Sequence, residues 1–181
     1  MTAMNGQAAR ATPRETWDRV ARQIGEVEAA RRCADMLVAH DPAQVRDTLE
    51  LIGAAEKMFG HRPWKPYWVR SWGARGLLYV WSDDCTSAVV QGLSDEHWRP
   101  AEMCVKVSAR REIGEAGPGI AALAGHDLPR MRQTVARALG IVGDTEHVDV
   151  VRRLSDDPDR SVRAAAVRAI ARLSERLDQG F

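Results

Sequence analysis

The sequence predicts an all-α chain built as a solenoid of about five antiparallel helix pairs. The first observation behind this is a repeated frame: an apolar residue, a basic residue, four residues, an arginine, one residue, an aliphatic. It fits Val69-Arg70 with Arg75 and Leu77, Val105-Lys106 with Arg111 and Ile113, Met131-Arg132 with Arg137 and Leu139, and Val162-Arg163 with Arg168 and Ile170. The second is the period. The anchors at 69, 105, 131 and 162 stand 36, 26 and 31 residues apart, the spacing of a two-helix repeat. The third is a shorter apolar segment between anchors, ending in Leu93, Leu123 or Leu154. One helix pair cannot bury its own apolar stripe, whereas stacked pairs build a continuous core. Val69, Val105, Met131 and Val162 are therefore expected to share one buried seam.

Each element has a local cause. Residues 1–12 are expected to form a loose polar tail and residues 13–178 a single helical domain. Thr12-Pro13-Arg14-Glu15 is a helix start, with Thr12 as cap, Pro13 at the first helical position and Glu15 able to reach back. Trp17, Val20, Ile24 and Val27 follow at helical spacing. Gly25 divides this stretch into two helices, the second running to about Ala39, and this pair is expected to cap the stack. Asp41-Pro42 opens the next helix, with Val45, Leu49, Ile52 and Met58 on one face. Pro63 and Pro66 make residues 60–66 a loop. The helix after Pro66 is expected to reach about Trp81, and Asp83-Asp84 to cap a short helix ending near Leu93. Helices are expected at roughly 97–114, 117–124, 127–140, 145–154 and 158–177, with Asp127 and Asp157 as cap-type residues. His40, His126 and Asp157 each fall three residues after a leucine that ends a short helix, at Leu37, Leu123 and Leu154, which points to a shared capping role.

The stretch from Asp157 to Leu173, DPDRSVRAAAVRAIARL, and its earlier copies resemble HEAT repeats, particularly the short Asp-Pro-opened type named after phycobilisome lyase subunits. The resemblance covers roughly residues 64–173. It implies a right-handed helical stack and, more loosely, a binding or scaffold role for a protein partner. It also implies that Arg70, Lys106, Arg132 and Arg163 pair with turn aspartates of neighbouring repeats, Asp127 and Asp157 among them, rather than forming a phosphate ladder.

One region departs from the repeat. Residues 57–82 hold Lys57, Arg62, Lys65, Arg70 and Arg75 without an aspartate or glutamate, and five of the six tryptophans lie within residues 64–98. Acid collects elsewhere: residues 144–159 carry six acids against two arginines. Trp68, Trp72, Arg75 and Tyr79 are spaced to share one helical stripe, about 100° from the core line of Val69, Gly73 and Leu77. Two readings compete. The tryptophans pack between helices over Gly73 and Gly76, or they form a surface that stacks planar groups while cations hold an anion. The candidate binding residues are Arg62, Lys65, Trp68, Trp72, Arg75, Tyr79, Trp81 and Trp98.

Other chemistry is sparse. There is no glycine-rich phosphate loop, no nucleophile elbow, no HExxH and no CxxC, so no catalytic residue is selected and no cofactor or metal is called for. Asp83, Asp84, Glu102, His61 and His97 lie near the aromatic region, but no spacing picks an acid–base pair. Cys33, Cys85 and Cys104 are odd in number and read as reduced thiols of a cytoplasmic protein. No apolar run reaches transmembrane length, so no membrane partner is expected. A net charge of +1 argues against binding nucleic acid by bulk charge. Three functions remain: a protein-binding scaffold; a small-molecule or lyase-type activity that takes an anionic or aromatic ligand in the cleft around residues 61–98; and, least favoured, a nucleic-acid role like that of helical-repeat glycosylases.

Overall fold

The computed structural model describes residues 11–181, so most of the expected tail lies outside the described residues. These residues contain eleven α-helices and no β-strand. The first is α1 (Pro13–Ile24), opened by a reciprocal capping box between Thr12 and Glu15. Gly25, at φ +87°, turns the chain into α2 (Glu26–Val38), a conformation that disfavours any side chain. Then come α3 (Arg46–Leu51), α4 (Ala55–Phe59), α5 (Tyr67–Gly76), α6 (Thr86–Gly92), α7 (Trp98–Arg111), α8 (Gly117–Ala122), α9 (Pro129–Val142), α10 (Val148–Leu154) and α11 (Arg160–Leu177).

Two rows of helices make an α-solenoid. The long helices α5, α7, α9 and α11 pack side by side in chain order. Each has a partner in the second row: α2 for α5, α6 for α7, α8 for α9 and α10 for α11. At the N-terminal end α1 lies against α2 and α5, and Arg19 of α1 donates to the Leu51 carbonyl at 3.0 Å, joining α1 to the α3–α4 segment as an irregular last layer. The anchors Val69, Val105, Met131 and Val162 are all at most 1% exposed, so the predicted seam exists. Each such side chain removed from water contributes about 1.5–3 kcal/mol.

Helix α2 is therefore the second-row helix of the first pair as well as part of the N-terminal end. The chain between it and α5, residues 39–66, is far longer than the equivalent links at residues 93–97, 123–128 and 155–159. That insertion is why Val69 does not follow Leu37 at the spacing by which Met131 follows Leu123 and Val162 follows Leu154. It is not the one helix expected from Asp41-Pro42. A 3-10 turn (Pro42–Val45) leads into α3, and Gly53 at φ +69° breaks the chain before α4. Val45, Leu49 and Met58 are still buried, as their shared face demands.

Other boundaries moved for local reasons. Helix α5 ends at Gly76, five residues before Trp81, because the chain tightens into turns, with Leu78 and Tyr79 amides donating to the Arg75 and Gly76 carbonyls. Asp83 and Asp84 lie inside the 3-10 turn before α6 and cap nothing; Asp83 accepts the Trp81 indole N–H at 2.9 Å. Leu128 is the cap residue of α9, with no side-chain cap bond, and Asp159 rather than Asp157 caps α11. Asp157 and His126 share another role: each accepts the backbone N–H two residues on, at 2.8 and 3.0 Å. Asp95 does the same for His97, while His40 has no such bond.

The basic frame positions behave as inter-repeat ties. Arg70 Nε donates to Asp95 Oδ2 at 2.6 Å with both side chains at most 5% exposed, and Arg132 Nε donates to Asp157 Oδ2 at 2.6 Å. Asp127 offers only its carbonyl, to Arg132. The middle junction differs. His126 replaces the carboxylate there, and Lys106 turns to Glu102 on its own helix. Arg163 comes after the last turn aspartate and donates only to the Asp157 and Pro158 carbonyls.

Candidate functional site

The insertion and the start of α5 build an aromatic cluster. Trp64, from the loop, stands 5.3 Å from Trp68 and 5.7 Å from Trp72, and Trp68 stacks on Trp72 at 6.3 Å. Helical spacing aligns the two α5 rings; the insertion supplies the third. Trp64 is 44% exposed, the most exposed of the aromatic rings here. Lys57 of α4 stands 5.4 Å from both Trp64 and Trp72. A pocket of about 270 Å³ opens between this cluster and α1, lined by Trp17, Lys57, Trp64, Trp72 and Arg75.

The cluster continues onto the next two long helices. Tyr67 stacks on His97 with ring centres 3.5 Å apart, and Trp98 follows His97 at 6.0 Å. The Arg99 guanidinium lies between Trp68 (4.9 Å) and Trp98 (4.6 Å), and Arg130 of α9 lies over Trp98 at 5.4 Å. Each cation over a ring contributes about 0.5–1 kcal/mol where exposed. His97 Nδ1 accepts the Arg99 amide at 3.2 Å and so caps α7. Burial, then the neighbouring Arg99 charge, lowers its pKa and keeps that nitrogen an acceptor.

Glu102 closes the face on the α9 side. It is 2% exposed and accepts from Arg130 Nε at 2.7 Å and Lys106 Nζ at 2.9 Å. Burial alone raises its pKa, but the Arg130 and Lys106 hydrogen bonds outweigh this and hold the carboxyl below its usual range. The result is a cationic and aromatic surface whose buried carboxylates, Glu102 and the Asp95 that accepts the His97 amide, are already paired with cations.

Of the sequence candidates, Trp68, Trp72 and Trp98 come together, and Arg75 flanks them in the pocket. Arg62 and Lys65 are exposed on the same loop as Trp64. Tyr79 falls beyond the end of α5, so the expected stripe stops at Arg75; Tyr79 packs against the core, as Trp72, Trp81 and Trp98 also do with part of their surface. Trp81 lies outside the cluster and pairs with Arg111 at 5.2 Å, an arginine that also donates to the Leu77 carbonyl at the end of α5. The glycines are covered differently from the packing alternative. A Cβ on Gly73 would meet the α2 backbone at Cys33 and Leu37, and one on Gly76 would meet Cys33 Sγ and the Trp17 ring. The tryptophan over Gly76 is thus Trp17 of α1.

Sequence reasoning passed over Lys57, Trp64, Arg99 and Arg130 as site residues. Lys57 and Trp64 were visible as part of the acid-free stretch. Arg99 and Arg130 open the next two long helices, and only knowledge that these starts lie beside Trp68 and Trp98 would have selected them. No group of three metal-ligating side chains gathers anywhere among the described residues.

Residues 86–171 match the family model for HEAT repeats. These are HEAT repeats. The match leaves the phycobilisome-lyase subtype undistinguished. No curated protein sequence matches the chain. Among solved structures, an engineered protein from the Northeast Structural Genomics Consortium is similar at 18% identity and a TM-score of 0.48, covering 91% of this chain and 80% of its own. That likeness is too loose to bear on function. HEAT repeats generally serve as protein-interaction scaffolds, and no described helix is long and apolar enough to cross a membrane.

Proposed function

We propose that this chain is a non-catalytic protein-binding module, and that its working surface is the tryptophan–cation face of Trp64, Trp68, Trp72 and Trp98 with Lys57, Arg75, Arg99 and Arg130. The observation that carries the reading is Trp64. A large aromatic held half in solvent among other rings and cations is the composition of an interface anchor rather than of a domain core. Truncating such an anchor typically costs about 2 kcal/mol or more of binding. Three free buried thiols suit action in the cytoplasm.

The test is quantitative capture by the full chain from cells that make it, followed by an affinity measurement on the captured protein. Trp64→Ala and Arg99→Glu are expected to weaken binding at least tenfold while the folded far-ultraviolet spectrum persists. Unchanged affinity in both variants removes this face from the account. The pocket against α1 favours a second reading, a small aromatic anion between Trp72 and Arg75. Saturable quenching of tryptophan fluorescence by such anions, lost in Arg75→Glu, is its signature; a flat response discards it.

A further inference from the structure

A second feature lies along the same row, two helices further on. Residues Arg130, Thr134, Arg137 and Ile141 are spaced i, i+4, i+7 and i+11, so they form one stripe of α9. Its first member belongs to the tryptophan face. Its last two line a groove of about 460 Å³ between α9 and α11, with Gly140, Ala165 and Ala169 as floor and Arg168 and Arg172 as the far wall. The helices come close because Gly140 has no side chain: a Cβ there would lie 2.8 Å from Ala169 Cα.

Arg137, Arg168 and Arg172 are exposed, and none makes an ion pair or side-chain hydrogen bond with another described residue. Four other arginines of the long helices are tied, Arg70 to Asp95, Arg111 to Leu77, Arg130 to Glu102 and Arg132 to Asp157; the groove is set apart by three untied guanidiniums gathered around one apolar floor. Arg168 and Arg172 are like charges four apart on one helix, an arrangement that destabilises a helix by a few tenths of a kcal/mol. Arg137 across the groove adds to that repulsion. An anion in the groove relieves it.

We infer that this groove binds an acidic polypeptide segment, the carboxylates of its Asp and Glu side chains forking with Arg137, Arg168 and Arg172 while its aliphatic parts lie on the alanine and glycine floor. Guanidinium matches carboxylate in paired hydrogen bonds. The floor has no aromatic ring on which a base would stack, which sets an acidic peptide above a single-stranded nucleic acid. This inference does not rest on the tryptophan face, which contains none of the three arginines.

The experiment is fluorescence anisotropy of a fluorescein-labelled oligoglutamate peptide titrated with the full chain. Saturable binding is expected, weakened by added salt and at least tenfold by the double variant Arg168→Glu/Arg172→Glu. Arg153→Glu, an exposed change on α10 outside the groove, is expected to leave affinity unaltered, and so is Trp64→Ala. All these positions are exposed, and matching thermal midpoints confirm folded variants. No binding by the wild-type chain overturns the inference. So does equal affinity in wild type and double variant. Tighter binding of a labelled oligothymidylate overturns the choice of a peptide. Self-association that the double variant abolishes overturns it too, in favour of a second copy. If Trp64→Ala loses the captured partner while oligoglutamate binding is kept, the two surfaces stand as separate sites.

Discussion

The first and last helix pairs are made from one frame and differ in what was added. In the last pair, α10 and α11 are joined by residues 155–159, and the exposed side of α11 includes Val167, Arg168, Ala171 and Arg172. In the first pair, residues 39–66 intervene between α2 and α5 and fold back to bring Lys57 and Trp64 against Trp68 and Trp72. The repeat supplies stacking; the departure from it supplies a surface. The ties differ too. Arg70 reaches a buried carboxylate in the next pair, whereas Arg163, at the end, has only backbone carbonyls.

The largest expected effect tests that difference in ties. Arg70→Ala leaves the Asp95 carboxylate buried without its cation, which costs about 3–5 kcal/mol. Arg163→Ala strands no charge and is expected to change stability by about 0.5 kcal/mol or less. Urea denaturation of the two variants measures this directly. Equal losses would mean that the ties work through local helix stabilisation rather than between repeats.

Next come the two close-packed glycines. Gly140 faces the Ala169 backbone, which cannot rotate away, so Gly140→Ala should destabilise by about 1–3 kcal/mol. Gly76 faces Cys33 Sγ and the Trp17 ring, side chains at the end of the stack. Gly76→Ala is expected to cost less and to move the Trp17 emission toward that of a solvated indole. A larger loss at Gly76 than at Gly140 would show that α1 is held as firmly as the interior.

Fold and site were legible in the sequence to different degrees. The four anchors were found because burial at one register recurs, and periodicity reports that directly. Thr12, Pro13 and Gly25 were found because capping chemistry and a positive φ are local requirements. The broken helix after Asp41 was missed because Val45, Leu49 and Met58 keep a helical face even though Gly53 interrupts the chain; the face reports burial, not continuity. The site was legible as composition, an acid-free run rich in tryptophan. Its membership was not. Arg99 and Arg130 join through contacts between helices, and Tyr79 drops out because α5 ends at Gly76, set by tertiary turns that no residue between 76 and 81 announces.

Acid should loosen the middle and last junctions together. The Arg130 and Lys106 hydrogen bonds hold Glu102 below its usual pKa against the opposing effect of burial, and Arg132 does the same for Asp157. In the unfolded chain these groups titrate near about 4.3 and 3.9. A depressed folded-state pKa means the stabilisation is complete above the unfolded values and is lost as pH falls through the folded ones. The urea midpoint should therefore fall progressively below about pH 4. In Glu102→Gln the middle-junction share of that fall should vanish, and an unchanged slope would assign the acid sensitivity elsewhere.

The smallest effect concerns α1, which closes the array beside the insertion. Its capping box joins Thr12 and Glu15 reciprocally: the Glu15 amide donates to Thr12 Oγ1 at 3.2 Å, and the Thr12 amide to Glu15 Oε2 at 2.7 Å. Both residues are exposed, so Thr12→Ala removes only the cap, worth about 1 kcal/mol. Where that loss appears separates two pictures of the N-terminal end. If α1 unfolds with the whole stack, the urea midpoint falls by the full amount. If α1 opens by itself, the global midpoint holds, while amide exchange in α1 speeds up about fivefold, the rate equivalent of 1 kcal/mol. The second outcome is expected, because among the described residues α1 packs chiefly on α2 and α5 and is tied to the α3–α4 segment, whereas α7 and α9 are gripped by long helices on both sides. Opening α1 also strips Trp17 from one wall of the pocket that holds Trp64 and Trp72. An end that breathes independently would thus give the tryptophan face a way to widen without disturbing the repeats behind it.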